Sequence, residues 1–205
     1  MTKPDQIKNR YNRVARCYDW MESPMETAKF SKWRRELTRQ VTGNTLEVGI
    51  GTGKNIPYYP EEVKLTAIDF SKNMLKRAKL KYQDDPRKIS FIEMDAQDMI
   101  FEDNTFDTVV TSCVFCSVPD PVKGLQEIRR VLKPGGQLLM LEHVRSKQKF
   151  LGRLMDWFNF VPLNIWGANI NRQTIDNLKK AGFTKMEVNN LWRDIVKLIK
   201  VRNIK

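Results

Sequence analysis

Histidine and cysteine are almost missing from this sequence, with one of the former and three of the latter among 205 residues. Cys17, Cys113 and Cys116 are odd in number and unevenly spaced, which excludes a disulfide framework. Cys113-Val-Phe-Cys116 has the spacing of a metal or redox pair, but a structural zinc site needs four ligands. The lone histidine and Cys17 lie far away in sequence, so packing in a core or pocket is expected of the pair and no metal is expected. No run of about 18 apolar residues occurs, so no membrane-spanning helix is expected. Residues 1–10 are polar and lack an apolar signal core. A cytoplasmic location follows as an expectation, with peripheral contact at the inner face of a membrane left open. Internal repeats and low-complexity tracts are also missing, which excludes solenoids and arrays.

What is abundant is positive charge. The net charge is +12, and residues 41–140 carry none of it, at −1, whereas residues 1–40 carry +5 and residues 141–205 carry +8. Basic flanks favour anionic partners such as phospholipid surfaces, nucleic acid or acidic substrates, or else form a solvated lysine-rich surface. The length suits one sizeable core and is short for two, so residues 1–205 are read as one domain.

Between Thr45 and Met140, short apolar runs alternate with helical patterns, the mark of βαβ units around a parallel sheet in an α/β fold. Strands are expected at 45–48, 65–68, 89–92, 106–112 and 137–141. Ser71 reads as the N-cap of a helix to about Lys81. A second helix spans 121–132 and is stopped by Pro134-Gly135-Gly136. A third covers 174–181, and 184–188 and 195–201 read as two last, antiparallel strands. Two segments fall outside the alternation. One is Ile7 to Leu37, read within a helical cap over residues 1–40. The other is the aromatic stretch Phe150 to Ile170, read within a lid over residues 146–172.

Ligands of open parallel sheets bind outside the carboxyl ends of the strands. Three features converge there. The loop Glu47-Val-Gly49-Ile-Gly51-Thr-Gly53 follows the first strand, and its glycines permit a tight turn and close approach of backbone to a ligand. Its GxGxG spacing differs from the GxGxxG of dinucleotide sites, which disfavours a nicotinamide enzyme. Asp69 ends the second strand, where a carboxylate can accept hydrogen bonds from both hydroxyls of a ribose. Asp95-Ala96 follows the third strand, where a carboxylate or backbone group can meet an adenine edge.

These stretches, with Asp69-Phe70-Ser71, Met74-Leu75, Phe106-Asp107 and Leu132-Lys-Pro-Gly-Gly136, occur in the order found in class I S-adenosylmethionine methyltransferases. The sequence resembles that family over roughly residues 44–143. The resemblance implies a Rossmann-like sheet of seven mostly parallel strands with helices on both faces and the last strand antiparallel. It implies S-adenosyl-L-methionine as cofactor, with Gly49, Gly51 and Gly53 at its methionine end, Asp69 on the ribose, Phe70 or Met74 against the adenine, Asp95 and Ala96 at the adenine amino group, and Glu47 and Ser112 as further cofactor-binding candidates. Tyr11 to Trp20, Cys116-Ser-Val-Pro-Asp120 and Leu141-Glu-His-Val-Arg145 carry a closer resemblance. They are similar to the branch of quinone C-methyltransferases, bacterial phosphatidylethanolamine N-methyltransferases and animal thiol methyltransferases. That branch implies a small amphipathic or lipid-like acceptor.

Methyl transfer from a sulfonium needs alignment above all, and a base where the acceptor starts protonated. His143, with a reference pKa of about 6.5, is one candidate. Tyr11 and Tyr18 in the N-terminal cap are others. Each has a packing role as its alternative. Phe150 to Trp166, with Lys147, Lys149 and Arg153, is amphipathic and basic. It can lie in a lipid interface, fold down over the sheet, or do both with different faces. An RNA methyltransferase using the basic flanks is the competing reading. Against it, an Asn-Pro-Pro-Tyr type motif and an appended RNA-binding domain are lacking, so nucleic acid is not an expected partner. The oligomeric state is left open.

Overall fold

A computed structural model of the chain describes Asn12 and residues 28–165 and 168–205. Tyr11 and Tyr18, like most of the expected N-terminal cap, lie outside the described residues.

Helix α1 (Ala28–Thr38) precedes β1 (Asn44–Val48), a single 3₁₀ turn (Ile56–Tyr58), β2 (Lys64–Asp69), α2 (Lys72–Lys81), β3 (Ser90–Glu93) and β4 (Phe106–Ser112). Then come α3 (Pro121–Val131), β5 (Leu132–His143), α4 (Lys149–Phe158), α5 (Phe160–Ile165), α6 (Thr174–Lys180), β6 (Lys185–Trp192) and β7 (Val196–Arg202). The strands form one seven-stranded sheet in the order β3-β2-β1-β4-β5-β7-β6. β1 to β5 pair in parallel, and β7 runs antiparallel to both β5 and β6. The Rossmann-like seven-stranded sheet is thus present, with its last strand reversed.

Local chemistry explains the element bounds. Ser71 caps α2 by accepting from the Met74 N–H at 3.3 Å. Asp120 caps α3 by accepting from the Val122 and Lys123 N–H groups, both at 3.1 Å, with Pro121 in the first turn where its missing N–H costs nothing. Buried β4, rich in Val and Thr, is continuous because both its faces are covered. One expectation needs correction. Strand β5 starts at Leu132, not at 137. Pro134-Gly135-Gly136 is an irregularity within the strand, where the register to β4 shifts between Phe106 and Thr108. Gly135, at φ +75°, and Gly136 hold the chain there by exchanging backbone hydrogen bonds of 2.8 Å with Asn203 beyond β7.

Two cores sandwich the sheet. α3 and α6 contribute Leu125, Ile128, Val131 and Leu178 to one, against Val109, Leu138 and Met140. α1 and α2 contribute Leu37 and Leu75 to the other, against Ala67, Val110, Leu139 and Leu141. Strand order reverses between β1 and β4, and a crevice opens there at the carboxyl ends.

Candidate functional site

At that crevice β1 gives way to a backbone that turns sharply. Gly49 and Ile50 both donate to the Ile68 carbonyl, at 2.8 and 3.0 Å. Gly49 has φ +71°, and a Cβ there would stand 2.5 Å from a methyl of Val114. No other residue fits. Gly51, at φ +57°, is different, because a Cβ would meet nothing within 4 Å. Its side faces open space in the crevice. Gly53 serves packing instead, since a Cβ would press on the Tyr82 ring at 2.7 Å.

Asp69 forms the acidic floor. Its Oδ2 accepts from the Gly51 N–H and its Oδ1 from the Ser71 N–H, both at 2.8 Å. A carboxylate has about four acceptor positions, so capacity is left over for a ligand. Burial pushes its pKa up to about 6, against the pull of those two N–H groups. Phe70 and Met74 stand beside it on the way into α2. Asn12 is pinned here too: its Oδ1 accepts from Ser71 Oγ at 2.7 Å, and its carbonyl from Asn73 Nδ2 at 2.9 Å. One residue of the N-terminal segment therefore rests on the helix that borders the site.

The pocket has a volume of about 770 Å³ counting its open mouth. Of the ten residues expected to bind cofactor, Gly49, Gly51, Asp69, Phe70, Met74, Asp95, Ala96 and Ser112 line it together. Glu47 and Gly53 are not among the lining residues. Glu47 lies beneath, accepting from Asn55 Nδ2 at 2.8 Å and from the Tyr59 hydroxyl at 2.9 Å. Burial raises its pKa to about 7 and holds the Tyr59 phenol well above its ordinary value. Arg34 of α1 completes this network, donating to Asn55 Oδ1 at 2.8 Å and to Ser112 Oγ at 3.0 Å.

The other wall runs from Cys113 to Pro119. Cys113 has φ +56° and turns the chain out of β4. Buried Glu142 holds the turn from below. Its Oε1 accepts from Val114 N–H at 3.1 Å, Phe115 N–H at 3.4 Å and Thr111 Oγ1 at 3.1 Å, and burial lifts its pKa to about 7. The two cysteines divide: Cys113 lines the pocket, and Cys116 is buried, its thiol donating to the Cys113 carbonyl at 3.3 Å and pushed up to about 12 by burial. Gln97 is a further link. Its amide donates to both oxygens of Asp95 at 3.0 Å and its Oε1 accepts from the Asp120 N–H at 2.8 Å, tying the β3 loop to α3.

His143 does not line the pocket. It ends β5 opposite Val196, and Nδ1 is buried without a partner among the described residues. Burial lowers its pKa and keeps the ring neutral. The stretch after α5 reaches the pocket wall directly. Asn169 donates its N–H to the Cys116 carbonyl at 2.8 Å, and Arg172 donates to the Val118 carbonyl at 2.6 Å.

Sequence reasoning did not find Arg34, Asn55 or Gln97, and it saw Glu142 only as a neighbour of His143. A buried-strand end carrying a charged residue was the one available signal, and Glu142 fits it.

Comparison with known proteins agrees with this geometry. Residues 46–140 match a family model described as a methyltransferase domain. The chain is 41% identical over 145 residues to phosphatidylethanolamine N-methyltransferase of Cereibacter sphaeroides, covering 68% of this chain and 68% of that protein. It is 32% identical over 197 residues to thiol S-methyltransferase TMT1B of Mus musculus, covering 85% of this chain and 73% of the relative. Its fold matches phosphoethanolamine N-methyltransferase 2 of Haemonchus contortus, solved with phosphomonomethylethanolamine and S-adenosylhomocysteine, with a TM-score of 0.76 at 16% identity over 100% of this chain and 61% of that one. With its sheet, its glycine turn and its relatives in agreement, the chain belongs to the S-adenosylmethionine-dependent methyltransferase family.

Proposed function

We propose that this enzyme methylates a small amphipathic or lipid-like acceptor, and that the pocket at the β1–β4 crevice is where its cofactor binds. The buried Asp69 carboxylate carries this reading. It is fixed at both oxygens by backbone N–H groups yet retains acceptor capacity toward the pocket. That suits a ribose, whose two hydroxyls donate. Gly51 leaves open the space that a close-lying methionine end needs. Phe70 and Met74 offer apolar surface to an adenine, Asp95 and Ala96 its polar edge, and Ser112 closes the β4 side. Glu47 acts from below, through Asn55 and Arg34, to hold Ser112 and α1 in place.

When bound, the cofactor supplies a methyl group on a sulfonium, already a good leaving group. The chain's own residues then have to orient the acceptor and exclude water, which is worth roughly 7–11 kcal/mol at its upper limit. The wall at 113–119 and the Asn169–Arg172 stretch bound to it border the acceptor side. His143 is the proposed base or acceptor-positioning group. Burial disfavours the protonated ring, and His143 does not line the pocket, so a positioning role fits it better than holding a proton.

Support for a lipid-like acceptor comes from the apolar lid and from relatives named for phosphatidylethanolamine and thiol substrates. The test is a methyl-transfer screen of the purified enzyme against phosphatidylethanolamine, demethylmenaquinol, small thiols and bulk tRNA. Turnover of one of the first three, with none on tRNA, is the expected result. Turnover of tRNA alone would overturn the reading.

A further inference from the structure

Helix α4 has two apolar sides, and only one of them is used by the core. Gly152 and Met155 face inward, with Met155 Sδ 3.4 Å from the Ser146 N–H. A Cβ on Gly152 would stand 2.7 Å from the Ser146 carbonyl, so the helix lies tightly against the chain leaving β5. On the outward side, Phe150, Leu154, Trp157 and Val161 follow at intervals of four, three and four residues, which places them in one stripe running from α4 into α5. Phe150 is 81% exposed and Trp157 69% exposed. Trp157 packs edge-on against Phe158, with ring centroids 4.7 Å apart, and Phe158 and Phe160 extend the apolar surface.

The border of this stripe is cationic. Lys147, Lys149 and Arg153 are exposed, and among the described residues none of them has an ion-pair partner. The helix's one acidic residue, Asp156, is already neutralised by Arg145 at 2.7 Å. An aromatic ridge edged by free cations is complementary to an anionic lipid surface, where rings enter the interface and ammonium groups meet head groups. A second copy of the chain fits poorly. A two-fold contact through this ridge would bring each cationic border against its own counterpart or close to it.

We infer that the α4–α5 ridge docks the enzyme on the surface of an anionic phospholipid bilayer. The same lid ends in Asn169 and Arg172, which hold the carbonyls of Cys116 and Val118 beside the pocket. The segment that carries the ridge is thereby tied to the pocket wall. This inference goes beyond the proposed acceptor and does not need it.

The experiment is co-sedimentation of the full chain with vesicles of equimolar phosphatidylglycerol and phosphatidylcholine, and with phosphatidylcholine alone. Neither lipid presents the primary amine, thiol or quinol acceptors of the activity screen, so failure here and failure of the acceptor reading stay distinct. The mixed vesicles are expected to bind the chain at low salt and to lose most of it at about 1 M salt. F150S with W157S should weaken binding at least about tenfold, and K149E with R153E by about tenfold or more. Both variants should bind S-adenosylhomocysteine as the parent does, which shows that they are folded. No binding to mixed vesicles would overturn the inference. So would binding unchanged by both variants, or a ridge-dependent dimer that competes with vesicles.

Discussion

The floor of the pocket and the α4–α5 segment proposed as its lid are built on different physics. In the floor, β1, β2 and β4 are covered on both faces, and the carboxylates in and beneath the pocket are each held by another group: Asp69 by Gly51 and Ser71, Asp95 by Gln97, Glu142 by the N–H groups of Val114 and Phe115. In the lid, α4 rests on Gly152 and Met155 and turns aromatic rings to solvent. A chemistry common to all members of a family demands a preorganised floor. Acceptor choice and docking need surface that is not committed to the core. Substitutions should therefore separate the two regions sharply.

The largest effect is expected in the floor at Gly49→Ala, which combines positive φ with a Cβ 2.5 Å from Val114. A loss of about 3 kcal/mol in denaturant unfolding is expected. Gly51→Ala shares the positive φ but has open space. It should cost only about 1–2 kcal/mol of stability while weakening cofactor binding more than that strain explains. Equal stability losses at the two positions would break the distinction between them.

Next comes Glu142→Ala, which leaves the Val114 and Phe115 N–H groups and the Thr111 hydroxyl without their acceptor. About 1–3 kcal/mol is expected, together with weaker cofactor binding because the wall at 113–119 loses its support. Glu142→Gln keeps an acceptor oxygen and should recover most of the stability.

Buried carboxylates also give the floor a pH signature. Glu47 and Glu142 are raised to about 7 and Asp69 to about 6. A raised folded pKa means that the native state holds protons the unfolded chain has released. This contribution is fully present below about pH 4 and is lost as pH rises through 6 to 7. Asp107 and Glu127, lowered mainly by hydrogen bonds from Lys133 and Arg130, act oppositely and lose their contribution only in stronger acid. Stability measured by denaturant should thus fall between about pH 5 and pH 8, and E47Q with E142Q should flatten the slope. A rising curve would contradict the burial argument.

The smallest stability effects belong to the lid. F150S and W157S should each change unfolding free energy by less than about 0.5 kcal/mol. A larger loss in either would show that the ridge is core after all.

How much could be read in advance divides along the same line. Strands β1 to β4 were legible to within a residue or two because buried parallel strands are short apolar runs between turn signals. Asp69 and Gly51 were legible because a turn and an acid at a strand end have fixed spacing. The start of β5 was not, since Pro134-Gly135-Gly136 reads locally as a stop and becomes strand only through pairing with distant Phe106 and Asn203. Arg34, Asn55 and Gln97 were silent for a related reason. Their role lies in partners 21, 8 and 23 positions away, and no periodicity marks such a meeting. The lid showed its amphipathic composition in advance. Which of its apolar sides the core would claim was decided by Gly152 fitting against Ser146.

The most direct test of the whole reading is calorimetric titration of S-adenosylhomocysteine into the parent chain and into Asp69→Ala. Loss of hydrogen bonds to a charged acceptor is worth about 1.5–3 kcal/mol, so affinity should drop at least about tenfold. In the parent, affinity should also weaken as pH falls through about 6, where the carboxyl takes up a proton. Equal affinity in the two proteins, independent of pH, would show that the carboxylate at the end of β2 does not hold the nucleoside.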